Sequence, residues 1–295
     1  CQAFVCTTGI SGSTTYFPEW VNVTNNVFEN VLTGTSGPDV TTNSDADAVV
    51  LFGGLTYKAN TIPASSIVAN NKFINCQGRS IKIQGDEATI TGNQIYCNVR
   101  SIARGSPHIN PQLAVGNVSN NMFHFDVTTD GKSPFTHDGL PIADGSNGLP
   151  YYSSSAIAFY TDISMPRPKY YTVKDNIIIN NVPSSVGIYR GGVINVAENN
   201  GTQASGLSAV ATQPVFITAD GNSIIGQGES QRLASIYTRS LSTDGAVSSS
   251  PSQTSVYATI TNNYISKISP YTGITNGIEG GSTGSTGGSL LSSHA

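Results

Sequence analysis

The sequence predicts an all-β chain, a single-stranded right-handed parallel β-helix (a solenoid) of about ten or more coils with loop excursions. Three observations predict it: one six-residue turn unit recurs along the chain, its copies are spaced in rough multiples of one coil, and neighbouring segments align in register.

The turn unit reads Val23-Thr24-Asn25-Asn26-Val27-Phe28 at its first occurrence. It returns from Val68 to Phe73, Ile90 to Ile95, Val118 to Phe123, Val173 to Ile178, Ala219 to Ile224 and Ile260 to Ile265. Its fourth position is always Asn, and its third is always Asn, Gly or Asp. These are the residues that enter the left-handed backbone region at least cost, so the chain turns sharply there. Phe or Ile stands two residues after the fixed Asn, and an apolar residue stands three before it. That pattern describes two short strands meeting at a corner, each sending alternate side chains inward.

The fixed Asn residues are Asn26, Asn71, Asn93, Asn121, Asn176, Asn222 and Asn263, at intervals of 45, 22, 28, 55, 46 and 41 residues. A coil of about 22 residues accounts for most intervals as one or two coils with loops, and ten coils over the whole span average 23.7 residues. Helical repeats would need long amphipathic segments, and the sequence has none. Locally, Cys76 to Ile81 aligns with Cys97 to Ile102 at a constant offset of 21. Like residues then stack one strand spacing apart, and stacked Asn corners can form amide ladders. Cys76 over Cys97 is either an inward pair of thiols or a disulfide.

Composition bounds the function. Charged residues make up 11% of the 295-residue chain, under half the usual share, while 13 Tyr and 10 Phe are available to fill a core. The formal net charge of -4 and the lack of Lys/Arg clusters exclude a nucleic-acid partner. No apolar run approaches a membrane span. No CxxC pair occurs and the His are scattered, so no metal or cofactor is called for. The chain opens on Cys1 in mid-pattern, as a processed product or a piece of something longer does. Residues 1–20 are read as a cap or connecting segment, 21–268 as the β-helix, and 269–295 as a Gly/Ser/Thr-rich segment. Loops are expected at roughly 99–114, 126–154, 191–214 and 240–255, and binding surfaces on a rigid solenoid are usually built on such loops.

The corner repeats and the coil of about 22 residues resemble the pectate-lyase-like right-handed β-helix superfamily across 21–268, and within it the body of phage tailspikes. That resemblance implies a homotrimer that recognises and hydrolyses a bacterial surface polysaccharide, extracellular on a virion tail or secreted. A non-catalytic adhesive or structural solenoid and a secreted polysaccharide lyase are the alternatives. The chain lacks Gly-His-Gly and Asp-Asp pairs, and Arg167-Pro168-Lys169 only partly echoes a pectate-lyase motif. Pectin chemistry therefore has no motif behind it.

Glycoside hydrolysis uses two carboxyl groups, and Asp86, Glu87 and Asp162 at strand ends are the candidates. Each also fits as a residue that solvates a turn. Tyr160, Tyr189 and Arg190 are candidate substrate contacts, because a Tyr ring offers an apolar plate with a polar edge. Asp47, Arg79 and Arg100 fall in one column, where Arg79 and Arg100 either bind an acidic sugar or form a surface ion pair with Asp47. His137-Asp138 and Asp144 lie in the longest loop, where the His suits acid–base work or simple exposure. Elimination would instead draw on Arg190, Lys82 and Tyr189.

Overall fold

The computed structural model describes residues 3–7, 20–32, 47–52, 65–84, 87–99, 108–129, 131, 156–162, 168–181, 189–190, 194–199, 214–226, 230–232, 236–240, 256–267 and 278–282. Among them every element is a strand and every strand pairing is parallel. Parallel pairing follows from the corner chemistry. A chain that turns the same way at each corner returns to its start travelling in its original direction, one strand spacing further on.

Three sheets result. The first has eight strands, in the order Phe4–Thr7, Val49–Phe52, Ile81–Gln84, Ile109–Gln112, Ile157–Asp162, Ile194–Asn199, Ile236–Ser240 and Ile278–Ser282. The second has seven, Trp20–Thr24, Ser65–Ala69, Glu87–Thr91, Val115–Ser119, Lys169–Lys174, Val215–Asp220 and Val256–Thr261. The third also has seven, Val27–Glu29, Lys72–Ile74, Gln94–Cys97, Met122–Phe125, Ile177–Asn180, Ser223–Gly226 and Tyr264–Lys267. The chain visits first, second and third sheet in that order on every pass, which is compatible with a parallel β-solenoid. Tyr189–Arg190 and Ser230–Arg232 form a separate two-stranded pair. The stretches 1–20 and 269–295 each place one strand in the first sheet, Phe4–Thr7 and Ile278–Ser282.

The corner between second and third sheets behaves as its residues require. Asn25, Asn70, Asn120, Asp175 and Asn262 have φ between 53° and 60°, and Gly92 and Gly221 both have φ 67°. Each is the third position of the turn unit. The fixed Asn that follows is buried from Asn71 through Asn222. Its Oδ1 accepts from both the backbone N–H and the side-chain amide of the Asn one pass earlier, as Asn93 does from Asn71 at 3.0 Å and 3.0 Å. The expected amide ladder is continuous from Asn26 to Asn263.

That ladder corrects the coil count. Asn26 bonds directly to Asn71 and Asn121 to Asn176, so the 45- and 55-residue intervals are each one pass, not two coils. Seven complete passes occur among the described residues where a 22-residue coil predicts ten. The local register is corrected too. Ile74 pairs with Tyr96 near the cysteines, but Ile81 pairs with Ile109 and not with Ile102.

The core lies between the sheets. Val49, Ile81, Ile109, Ile157 and Ile194 stack inward from the first, Val23, Val68, Ile90, Val118 and Val173 from the second, and Phe73, Ile95, Phe123 and Ile178 from the third. Gly116 has no side chain for a packing reason. A Cβ there would stand 3.0 Å from the Phe159 ring, which stacks on Tyr171 with centroids 4.3 Å apart. Cys76 and Cys97 are free, buried thiols, so the inward-thiol alternative holds. Burial, with the neighbouring Cys97, pushes the Cys76 thiol up to about 12, and burial pushes Cys97 up to about 11. Neither is a nucleophile in the folded chain.

Candidate functional site

The residue after the inward aromatic or Ile of each turn unit points out from the third sheet, because strand side chains alternate. On successive passes this outward position holds Ile74, Tyr96, His124 and Ile179. Two residues further along stand Asp126 and Asn181, where the backbone N–H of Asn181 donates to the carbonyl of Phe125 at 2.9 Å. The sheet thus gathers Tyr96, His124, Asp126 and Asn181 from three consecutive passes.

Their side chains hold one another. The Asn181 amide nitrogen lies 2.8 Å from Nε2 of His124 and donates to Oδ1 of Asp126 at 2.9 Å. The other Asp126 oxygen lies 3.3 Å from the same Nε2. Nε2 of His124 thus sits between the Asn181 amide and the Asp126 carboxylate. Tyr96 leans on the His124 ring at 5.9 Å with a 43° tilt, and the Nζ of Lys72 lies 5.4 Å from the other ring's centroid, over Tyr96. Lys72, Tyr96, His124 and Asn181 make a row along the stack: ammonium, phenol, imidazole and amide. The strand that carries His124 ends at Phe125, and the next described strand begins at Ile157.

The second sheet presents a different surface. Its first outward column reads Trp20, Ser65, Glu87, Val115, Tyr170, Phe216 and Tyr257 from pass to pass. Tyr170, Phe216 and Tyr257 stack nearly parallel, at 5.1 Å and 5.0 Å between centroids.

Of the sequence candidates, Glu87 is exposed at the start of its strand, in this aromatic column and two passes from Tyr170. Asp162 ends a first-sheet strand on the same pass as Tyr170, with its backbone paired to Asn199. The backbones of Glu87 and Asp162 are therefore separated along the axis by two strand spacings, about 9.6 Å. Tyr160 pairs in register with Ala197, and Tyr189 and Arg190 form the small pair with Ser230 and Arg232. Asp86, Arg100, His137, Asp138 and Asp144 lie outside the described residues.

Arg79 is turned inward. Its Nε donates to Asp47 Oδ1 at 2.8 Å, its Nη2 to Oδ2 at 2.9 Å, and its backbone N–H to Oδ1 at 3.0 Å. Asp47 is buried, so this is an enclosed fork rather than a surface pair. The Ser80 hydroxyl that follows meets Nδ1 of buried His108 at 3.2 Å, and burial lowers the His108 pKa to about 4.

Sequence reasoning passed over Tyr96, His124, Asp126 and Asn181. The signal was available in the turn unit itself, three and five residues after the fixed Asn, but it lies just beyond the six residues that repeat. Among the described residues no group of three or more His, Cys, Asp or Glu comes together as a metal site would require, and no helix is long and apolar enough to cross a membrane. No family model, no curated protein and no solved structure matches the chain.

Proposed function

We propose that this chain is the right-handed β-helical body of an extracellular, tailspike-like receptor-binding protein that recognises a bacterial surface polysaccharide and hydrolyses it. The observation that carries recognition is the row of Lys72, Tyr96, His124 and Asn181. Four polar or aromatic groups of different hydrogen-bonding character stand on successive strands, fixed by mutual contacts before any ligand arrives. Preorganised donors and acceptors on a rigid sheet cost little ordering on binding. A repeating polymer laid along the axis meets one such group per strand.

The carboxyl groups proposed for hydrolysis are those of Glu87 and Asp162, which stand at strand ends two passes apart. The same surface without cleavage would serve a non-catalytic adhesive rod.

The test is incubation with a panel of purified capsular and O-antigen polysaccharides. Binding, new reducing ends and absorbance near 235 nm are read together, the last being the region where an unsaturated uronate absorbs (about 235 nm). Binding that weakens about tenfold or more in Tyr96→Ala and His124→Ala supports the recognition row. New reducing ends, lost in Glu87→Gln or Asp162→Asn, support hydrolysis, whereas absorbance means elimination. Binding without cleavage leaves the adhesive rod, and absence of binding across the panel overturns the reading.

A further inference from the structure

The first outward column of the second sheet holds one charged side chain, Glu87, set among rings. Along the stack the order is Trp20, Ser65, Glu87, Val115 and Tyr170. Each ring thus stands two strands from the carboxylate, with a smaller residue between, and the column dips into a trough from Trp20 to Tyr170. Trp20 is 66% exposed and Tyr170 50%. Exposed apolar residues also occur on the third sheet, at Val27, Ile177 and Tyr264. What sets the second sheet apart is a stack of rings that ends two strands from a free carboxylate.

The ring stack supplies an open platform. Tyr170, Phe216 and Tyr257 lie nearly parallel at one ring per strand, so both faces of Phe216 are covered. The stack ends at Tyr170, and no ring among the described residues lies on its other face, the one toward Val115. A flat molecule stacked on that face at about 4 Å lies over Val115, since the strands are about 4.8 Å apart. Glu87 is then one strand further on.

Polar groups complete the trough. Among the described residues Glu87 has no hydrogen bond or ion pair, unlike Asp47, Asp126 and Asp220, each of which is held by a neighbouring side chain. Asn117 stands two residues after Val115 on the same face. Its Oδ1 is the one enclosed side-chain polar atom among the described residues without a hydrogen-bond partner. An enclosed acceptor with no donor is costly, and turning the amide toward a hydroxyl lying over Val115 relieves it. A sugar ring, apolar on its faces and hydroxylated around its edge, suits the plate, the amide and the carboxylate together.

Charge narrows the class. The strands Trp20–Thr24, Ser65–Ala69, Glu87–Thr91 and Val115–Ser119 contain no Lys or Arg. Lys174, further along the same sheet, is paired with Asp220 at 3.6 Å. A carboxylated sugar would meet Glu87 with no cation to offset the repulsion.

We propose that this trough binds an uncharged stretch of glycan, with one sugar stacked on Tyr170 over Val115 and its edge toward Glu87 and Asn117. The proposal rests on the glycan reading above and deepens it: the unit presented to Glu87 is a neutral sugar and not a uronate. A neutral sugar has no carboxyl group to acidify the proton that elimination removes, so hydrolysis is the chemistry that remains.

Trp20 is the chain's single tryptophan, so its fluorescence reports on this trough. The experiment titrates the full chain with the neutral and with the uronate-containing polysaccharides of the panel, reading Trp20 fluorescence and its quenching by acrylamide. The same titrations are made on Tyr170→Ala, Tyr170→Phe, Glu87→Gln and Tyr96→Ala, with far-UV circular dichroism on each. A neutral polysaccharide is expected to bind and to shield Trp20 from acrylamide. Tyr170→Ala should weaken that binding about tenfold or more, whereas Tyr170→Phe, which keeps the ring, stays near the native value. Uronate polysaccharides should bind the native chain about tenfold or more weakly than neutral ones, and should gain in Glu87→Gln. A neutral polysaccharide that binds with Trp20 still open to acrylamide and with Tyr170→Ala unchanged overturns the proposal. Uronate polysaccharides that shield Trp20 as well as neutral ones do overturn it too. Binding lost in Tyr96→Ala but indifferent to Tyr170 leaves the third-sheet row standing without this trough. Binding lost in Tyr170→Ala but not in Tyr96→Ala upholds the trough and removes the row, and absence of binding by any polysaccharide overturns both.

Discussion

Asn71 gives both its backbone N–H and its side-chain amide to a single oxygen, Oδ1 of Asn93, at 3.0 Å each. Asn93 in turn donates to Oδ1 of Asn121 at 2.9 Å and to the carbonyl of Val68 at 2.9 Å. Each rung is thus satisfied only because the next one is present. Buried amides in such a chain are stabilising when complete and costly when interrupted.

Replacing Asn93 by Ala should therefore cost about 3 kcal/mol or more, since two buried donors of Asn71 lose their acceptor and each orphan costs roughly 1–3 kcal/mol. Asn26→Ala, at the exposed end of the ladder, should cost under about 1 kcal/mol, because Asn71 keeps the Asn26 backbone N–H. Urea unfolding of the two variants checks the contrast, and equal losses would mean that the ladder does not act as a unit.

Gly92→Ala should be destabilising by about 2 kcal/mol. The left-handed backbone at φ 67° costs a side chain roughly 1–2 kcal/mol, and the new Cβ also runs into Oδ1 of Asn70. Asn120→Gly, at the equivalent position two strands from Asn70, should be nearly neutral. Denaturation midpoints of the pair decide it.

The Asp47–Arg79 fork predicts a large structural effect. Asp47→Ala removes the acceptor of three bonds and leaves a mostly enclosed guanidinium, a loss of about 3–5 kcal/mol. Arg79→Lys keeps the charge but loses the two-pronged geometry, so thermal unfolding should place it between the native chain and Asp47→Ala.

His108 makes stability fall in mild acid. Its pKa is about 4 when folded, against about 6.5 when unfolded. Below pH ~6.5 the unfolded chain takes a proton that the folded chain refuses until pH ~4, so the group's contribution is full above that window and lost as pH falls through it. The loss approaches about 3 kcal/mol. Urea midpoints at pH 7 and pH 4.5 should differ more in the native chain than in His108→Gln. Equal pH sensitivity would show that another group is responsible.

Cys76 and Cys97 should resist alkylation by iodoacetamide at pH 8 in the folded chain and react when it is unfolded, because the thiolate is the reactive form and burial suppresses it in both. Peptide mapping by mass spectrometry reads each site separately. Rapid labelling of either residue in the folded chain would contradict the enclosed thiol pair.

Much of this was legible in the residues. The third position of the turn unit announces its left-handed backbone, since only Asn, Asp and Gly occur there, and all seven have positive φ. The Asn that follows announces the ladder. The pass length was not legible, because an excursion leaves no period in the sequence, and a 45-residue interval reads equally as one pass or two. Only the bond from Asn26 to Asn71 distinguishes them. Arg79 was likewise ambiguous, as its partner Asp47 is 32 residues away and its burial depends on neighbouring passes.

The sequence by itself determined the corners, the inward columns and the direction of pairing, because these follow from one residue's backbone preference and from the alternation of neighbours. The tertiary structure alone decided which passes are adjacent. It thereby decided that Tyr96, His124 and Asn181 share one face and that Trp20 and Tyr257 share another. The physical reason is range: local preferences act over a few residues, whereas a stacked surface is assembled from segments 22 to 55 residues apart.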